Sequence, residues 1–137
     1  IDYFKLYNDS LGHLQGDQCL KRISILLSSI SSRSDDLAAR YGGEEFLLLF
    51  AMTNQDQALI QAQRLMELVR NIGIIHPRSN VSKHVTVSVG VATTIPHLND
   101  NLSEFIAQAD RALYIAKSNG RNQYHLTTTY HETHEVM

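Results

Sequence analysis

Several features that would narrow the class of this protein are missing from its sequence. It has one cysteine, Cys19, so no disulfide can form within the chain. Cys19 lies among apolar residues at helical spacing, which reads as a small buried side chain rather than a reactive thiol. A lone thiol is compatible with a reducing compartment. No charge is in excess: 12 Lys and Arg face 14 Asp and Glu, a net of -2. That argues against duplex nucleic acid as a partner, since it demands a clustered basic surplus. A single nucleotide is not excluded, because a few local cations and a metal ion suffice for it. Long apolar runs are also absent. The longest, Phe46 to Met52, falls far short of the roughly 20 residues that span a bilayer. No secretory leader is visible, and no internal repeat or low-complexity tract interrupts the chain. It opens at Ile1 without an initiator methionine, so we expect a piece of a longer protein.

What is present fits one globular unit. A chain of 137 residues, 43% hydrophobic and 19% charged, is enough for one core and too short for two. Asn8, Asp9, Ser10, Gly12 and Gly16 punctuate the first segment, so Phe4 to Leu14 is expected to hold a short helical turn or two. After Gly16, Cys19, Leu20, Ile23, Leu26, Leu27 and Ile30 recur at helical steps, with Asp17 near the N-terminus of the helix they predict. Leu37, Ala39 and Tyr41 alternate as a strand would, and Gly42-Gly43 is a two-residue turn signal. The return run from Phe46 to Ala51 is apolar on both faces, which predicts an interior strand. A helix is expected over 56–71, capped by Thr53 or Asn54, then a loop over 73–83 and a strand from Val85 to Val91. The pattern predicts a third long helix from Ser103 to Ser118, stopped by Gly120, and a closing strand from Gln123 to Leu126. The order predicts an α/β sandwich, helices packed on a sheet that includes antiparallel pairs. We place the domain at 1–126 and a tail at 127–137. In the tail, His131 and His134 lack the i, i+4 spacing of a helical zinc site.

The chemistry concentrates at the hairpin. Glu44 and Glu45 follow a glycine turn at the mouth of a buried strand. On a strand, neighbours point to opposite faces, so the two carboxylates would have different tasks. Solvated turn acids are the bland alternative. Against it stand the apolar strand behind them and the turn glycines, which let a ligand approach the backbone closely.

Four blocks, in order, give these residues a context. Arg40 to Phe46 reads Arg-Tyr-Gly-Gly-Glu-Glu-Phe and resembles the signature of the GGDEF diguanylate cyclases, in a Gly-Gly-Glu-Glu-Phe variant. Ile1 to Asp17 resembles the first block of that family, about thirty residues before the hairpin. Thr86 to Ala92 and Ala109 to Asn122 match later blocks. The resemblance implies a palm-like fold akin to nucleotidyl cyclases, with a mixed or antiparallel sheet flanked by helices and the signature on a β-hairpin. It implies a homodimer that condenses two GTP into cyclic di-GMP with loss of two pyrophosphates, using magnesium, or manganese in its place. By position, Glu44 resembles a metal ligand and proton acceptor at the 3′-hydroxyl, and the Ile1 carbonyl a second metal ligand. Lys5 resembles the transition-state stabiliser. Asn8 and Asp17 resemble the guanine contacts with His13 beside them, and Lys117 and Arg121 the cations on the terminal phosphates. Phosphoryl transfer of this kind needs positioning and charge neutralisation more than covalent help.

Each assignment has a rival. Asn8 and Asp9 suit a turn, Asp17 a helix cap, and Lys117 and Arg121 the C-terminal end of a helix. Arg33 and Asp36 lie where many family members carry an Arg-x-x-Asp site for inhibition by product; the bland alternative is an exposed ion pair of little worth. The family also has a strand and helix before this point and an aspartate just before the position of Ile1. Without that strand, the hairpin and the Val85 to Val91 run would be short of a partner. The resemblance further implies an upstream sensory domain and a cytoplasmic setting, with or without membrane anchoring of the parent. A catalytically inactive module that binds GTP or cyclic di-GMP is the alternative function.

Overall fold

The computed structural model describes residues 1–127. The first helix, α1 (Phe4–Leu11), passes into α2 (His13–Ile30) through the single residue Gly12. Gly12 has φ 88° and ψ 163°, a conformation that a residue with a Cβ rarely adopts. The expected helix start after Gly16 is therefore corrected: α2 begins at His13, and Gly16 lies buried within it. A Cβ on Gly16 would sit 1.7 Å from Asn8 Oδ1 and 3.4 Å from Phe4 Cζ. The glycine allows α1 and α2 to touch; it does not break the helix.

The hairpin pairs β1 (Leu37–Gly42) with β2 (Glu45–Leu49) in antiparallel register, Leu37 opposite Leu49 and Arg40 opposite Phe46. The register then shifts so that Gly42 faces Glu45, leaving Tyr41 as a bulge. The turn thus falls at Gly43-Glu44 rather than Gly42-Gly43, with Gly43 at φ 43°. Arg40 Nε donates to the Gly43 carbonyl at 2.8 Å and braces it. Glu44 belongs to the turn, so the argument from opposite strand faces does not hold for it. Nor is β2 enclosed on both sides: Phe46 to Leu48 are half-buried and Leu49 is exposed.

Helix α3 (Gln55–Ile72) begins at a reciprocal capping box between Asn54 and Gln57 and ends at Gly73, φ 71°. The strand expected at Val85 to Val91 is later and shorter, β3 (Val89–Ala92). Val85 to Ser88 form no ladder; Val85 N bonds the Ile74 carbonyl and the Thr86 carbonyl accepts from Asp2 N. After α4 (Leu102–Ser118), β4 (Tyr124–Thr127) pairs in parallel with β3, Val89 opposite Tyr124. β4 ends one residue beyond the expected strand. A helix as crossover is the usual way to join parallel neighbours. Gly90 makes this unit close: a Cβ there would lie 2.1 Å from the Ala109 carbonyl oxygen and 2.4 Å from Leu113 N.

Among the described residues the two strand pairs form separate sheets. Between them run Ile1 and Asp2, with Ile1 N 3.2 Å from the Glu44 carbonyl and Asp2 N 2.9 Å from that of Thr86. The core joins Phe4 and Tyr7 of α1, Cys19 and Ile23 of α2, Leu65 and Val69 of α3, and Val85 and Val87. Burial pushes the Cys19 thiol pKa up, consistent with a packing role. The fold is mixed α/β.

Candidate active site at the hairpin mouth

Three segments meet beside the Gly43-Glu44 turn. Glu45 opens β2, and its Oε1 lies 3.9 Å from Lys117 Nζ in the last turn of α4. Both side chains are more than a third exposed, so the pair contributes little stability. It does place Lys117 at the acidic end of the hairpin. The bond from Ile1 N to the Glu44 carbonyl brings the start of the chain to the same place. Ile1, Glu44 and Lys117, far apart in sequence, are thus neighbours.

Arg121 comes to this region on a turn of unusual backbone. Arg121 and Asn122 have φ 65° and 50°, the left-handed region that costs a residue with a Cβ of order 1 kcal/mol. The Arg121 guanidinium lies over the Tyr3 ring, 4.5 Å from its centroid. Beside it is Asp2, only 3% exposed. Its carboxylate accepts from Thr86 Oγ1 at 2.8 Å, Ser88 Oγ at 2.5 Å and Asn122 N at 3.0 Å. Sequence reasoning missed Asp2. Its signal was Thr86 and Ser88, two hydroxyls at period two among valines, which would both face one buried acceptor. His76 was missed as well. It is 3% exposed, and its Nδ1 accepts from Arg78 N at 3.1 Å. The proton is thereby placed on Nε2, which donates to the Tyr3 carbonyl at 2.9 Å.

The residues expected to hold guanine lie on α1 and α2. Asn8 Oδ1 is buried beside Gly16 without a donor among the described residues. A buried acceptor of this kind costs free energy unless a partner arrives. Asp17 is exposed in the second turn of α2, whose N-cap is Gly12; the cap alternative for Asp17 is excluded. His13 is the exposed first residue of α2, and Lys5 is exposed in the first turn of α1. Lys5 and Asn8, three residues apart, share one face of α1.

Arg33 and Asp36 stand apart from the hairpin mouth, at the other end of β1. Arg33 Nε and Nη2 each donate to one carboxylate oxygen of Asp36 at 3.2 Å. Nη2 also donates to the Ala51 carbonyl at 2.7 Å and Thr53 Oγ1 at 2.9 Å. The Arg33 side-chain bonds hold the Asp36 carboxyl below the usual carboxylate range. Asp36's side chain is 1% exposed against 55% for Arg33. The pair therefore does not offer two separate ends to a ligand; Arg33 alone is presented.

Among the described residues no three His, Cys, Asp or Glu side chains converge as a metal cage. Magnesium rarely needs one, because it is usually shared between one or two carboxylates, water and substrate phosphates. Glu44 and the Ile1 carbonyl, on segments joined by the bond from Ile1 N to the Glu44 carbonyl, are hard oxygen donors of the type such an ion takes. The tail histidines His131 and His134 lie outside the described residues.

Comparison with known proteins shows the family. Residues 1–123 match the family described as diguanylate cyclase, GGDEF domain. The chain is 38% identical over 123 residues to diguanylate cyclase DgcZ of Escherichia coli, covering 90% of this chain and 40% of that protein. It is 38% identical over 122 residues to the cyclic di-GMP phosphodiesterase NbdA of Pseudomonas aeruginosa, covering 89% of this chain and 15% of that protein. Its fold superposes on the active GGEEF domain of a diguanylate cyclase from Vibrio cholerae with TM-score 0.78 and 31% identity, over 94% of this chain and 79% of the other. The chain spans less than half the length of these two curated relatives. With a matched segment that takes in every residue at the hairpin mouth, the chain belongs to the GGDEF domain family.

Proposed function

We propose that this domain is a diguanylate cyclase: two copies, each presenting one GTP, condense them into cyclic di-GMP and two pyrophosphates. The observation that carries the reading is the meeting of Glu44, Ile1 and Lys117 at one turn, with Arg121 held nearby. In each half-reaction the 3′-oxygen of one nucleotide bonds to the α-phosphorus of the other. The bond to pyrophosphate breaks, and the 3′-hydroxyl proton passes to Glu44. Lys117 and Arg121 hold the β- and γ-phosphates, and Lys5 stabilises charge as it develops. Asn8 accepts from the guanine edge with an oxygen that has no donor of its own, and Asp17 accepts from the same edge beside His13. Magnesium, held by Glu44 and the Ile1 carbonyl, neutralises phosphate charge when bound. A module that merely bound nucleotide would need Asn8 and the cations but neither Glu44 nor Lys5; their retention favours the enzyme. Arg33 is read as the group that binds cyclic di-GMP for product inhibition, with Asp36 orienting it.

The test is the full-length protein with GTP and magnesium, its products separated by chromatography. Cyclic di-GMP should accumulate, and Glu44→Gln should lower its rate by roughly 10²- to 10⁴-fold with an unchanged melting temperature. Unreacted GTP after long incubation of a folded dimer would sink the reading, and near-normal turnover by Glu44→Gln would show the carboxylate to be misassigned.

A further inference from the structure

We propose that Tyr3 is a positioning residue for the triphosphate end of the substrate, its ring serving as the platform on which Arg121 is seated. The inference rests on the reading of Arg121 as a phosphate cation and says how that cation is aimed. The guanidinium carbon is 4.5 Å from the Tyr3 ring centroid, a distance at which the ring quadrupole attracts the cation. A guanidinium carries its N–H donors in its own plane, and none of those of Arg121 is hydrogen-bonded to the described residues. Lys117, by contrast, already faces Glu45. Arg121 is thus held in place with its phosphate-binding capacity unspent.

Both partners of the stack sit on backbone that the surroundings must hold. Tyr3 has φ 54°, and Arg121 and Asn122 have φ 65° and 50°. Left-handed residues of this kind persist only where neighbouring contacts over-determine them, and they gather at functional sites. Here the contacts are specific. Arg121 N bonds the Ala116 carbonyl, and the Arg121 carbonyl accepts from Gln123 Nε2 at 3.0 Å. Asn122 N bonds the buried Asp2 carboxylate, and Arg70 Nε lies 3.3 Å from Asn122 Oδ1. On the other side, the Tyr3 carbonyl accepts from Tyr7 N and His76 Nε2. Asp2, the residue just before the platform, is thus bonded directly to the Arg121 turn. An arginine that only complemented the C-terminal end of α4 would need none of this.

The experiment measures KM and kcat for GTP, and equilibrium binding of GTP and of GMP with magnesium, in the full-length protein. Tyr3→Leu should weaken GTP binding and raise its KM by about three- to tenfold with GMP affinity unchanged. Tyr3→Phe, which keeps the ring, should behave as the parent. Tyr3→Leu added to Arg121→Ala should cause no further loss. Equal weakening of GTP and GMP, or additive losses in the double variant, would overturn the platform role. Arg121→Lys keeps the charge and gives up the planar guanidinium, so it tests the same idea should Tyr3→Leu fail to fold. Parent-like GTP affinity in that variant would also overturn it. Arg121→Ala that binds GTP as the parent does would instead remove the phosphate reading on which the platform depends.

Discussion

Asn8 and Gly16 occupy what is nearly one space. The Asn8 amide fills the volume a Cβ on Gly16 would take, its oxygen 1.7 Å from that position. Substituting Gly16→Ala sets two effects against each other. Alanine is favoured over glycine within a helix by roughly 1 kcal/mol, and the displaced group is the end of a movable side chain rather than backbone. Stability should therefore change little, with a melting temperature within a few degrees of the parent. The Asn8 amide cannot keep its place, however, so KM for GTP should rise by about tenfold. Thermal melting and steady-state kinetics on one preparation check both halves; an unchanged KM would remove Asn8 from the guanine contacts. Asp2 shows the limit of reading single residues. In sequence it is one polar letter beside two aromatics, and its burial follows only from hydroxyls 84 and 86 positions away.

The β3–α4–β4 element owes its closeness to one position. Gly90 faces the backbone of α4, and a Cβ there would meet the Ala109 carbonyl oxygen at 2.1 Å and Leu113 N at 2.4 Å. Backbone cannot step aside as a side chain can. Gly90→Ala should cost about 1–3 kcal/mol through overpacking, lowering the melting temperature by roughly 5–15 °C. Because Lys117 lies in the last turn of α4, any shift that relieves the clash also moves the side chain proposed to hold phosphate. A melting temperature equal to the parent's would mean that helix and strand are not in the contact described. The other elements were more legible. The helix expected over 56–71 is α3, Gln55–Ile72, with its cap on Asn54, one of the two residues expected to serve, because capping chemistry is local and its partners lie within four residues. The valine run was not legible in this way: β propensity says that residues suit a strand, but a ladder needs a partner alongside.

At the scale of the whole molecule, Arg33 joins the approach to the hairpin to its exit. It bonds Asp36, just before β1, and Ala51 and Thr53, just after β2. A ligand that competes for this arginine would act on both roots of the hairpin whose tip carries Glu44. Such coupling must come from a difference in ligand affinity between productive and unproductive arrangements. Arg33→Ala should therefore bring the ratio of rates with and without added cyclic di-GMP toward one, and its progress curves should stay linear for longer. An identical response to product in variant and parent would leave Arg33 as a structural brace only. The family, the four long helical and hairpin signals and the types of the site residues were all determined by the sequence, since motif spacing and capping are local properties of the chain. Tertiary structure decided which glycine allows a contact and which makes a turn. It also moved Glu44 from strand to turn, turned Asp36 inward onto Arg33, and gave Asp2 and His76 their work. Periodicity reports which face of an element is buried but not what lies against it. A buried, fully hydrogen-bonded polar residue has the same letter as a solvated one, and only the partners that folding brings to it set the two apart.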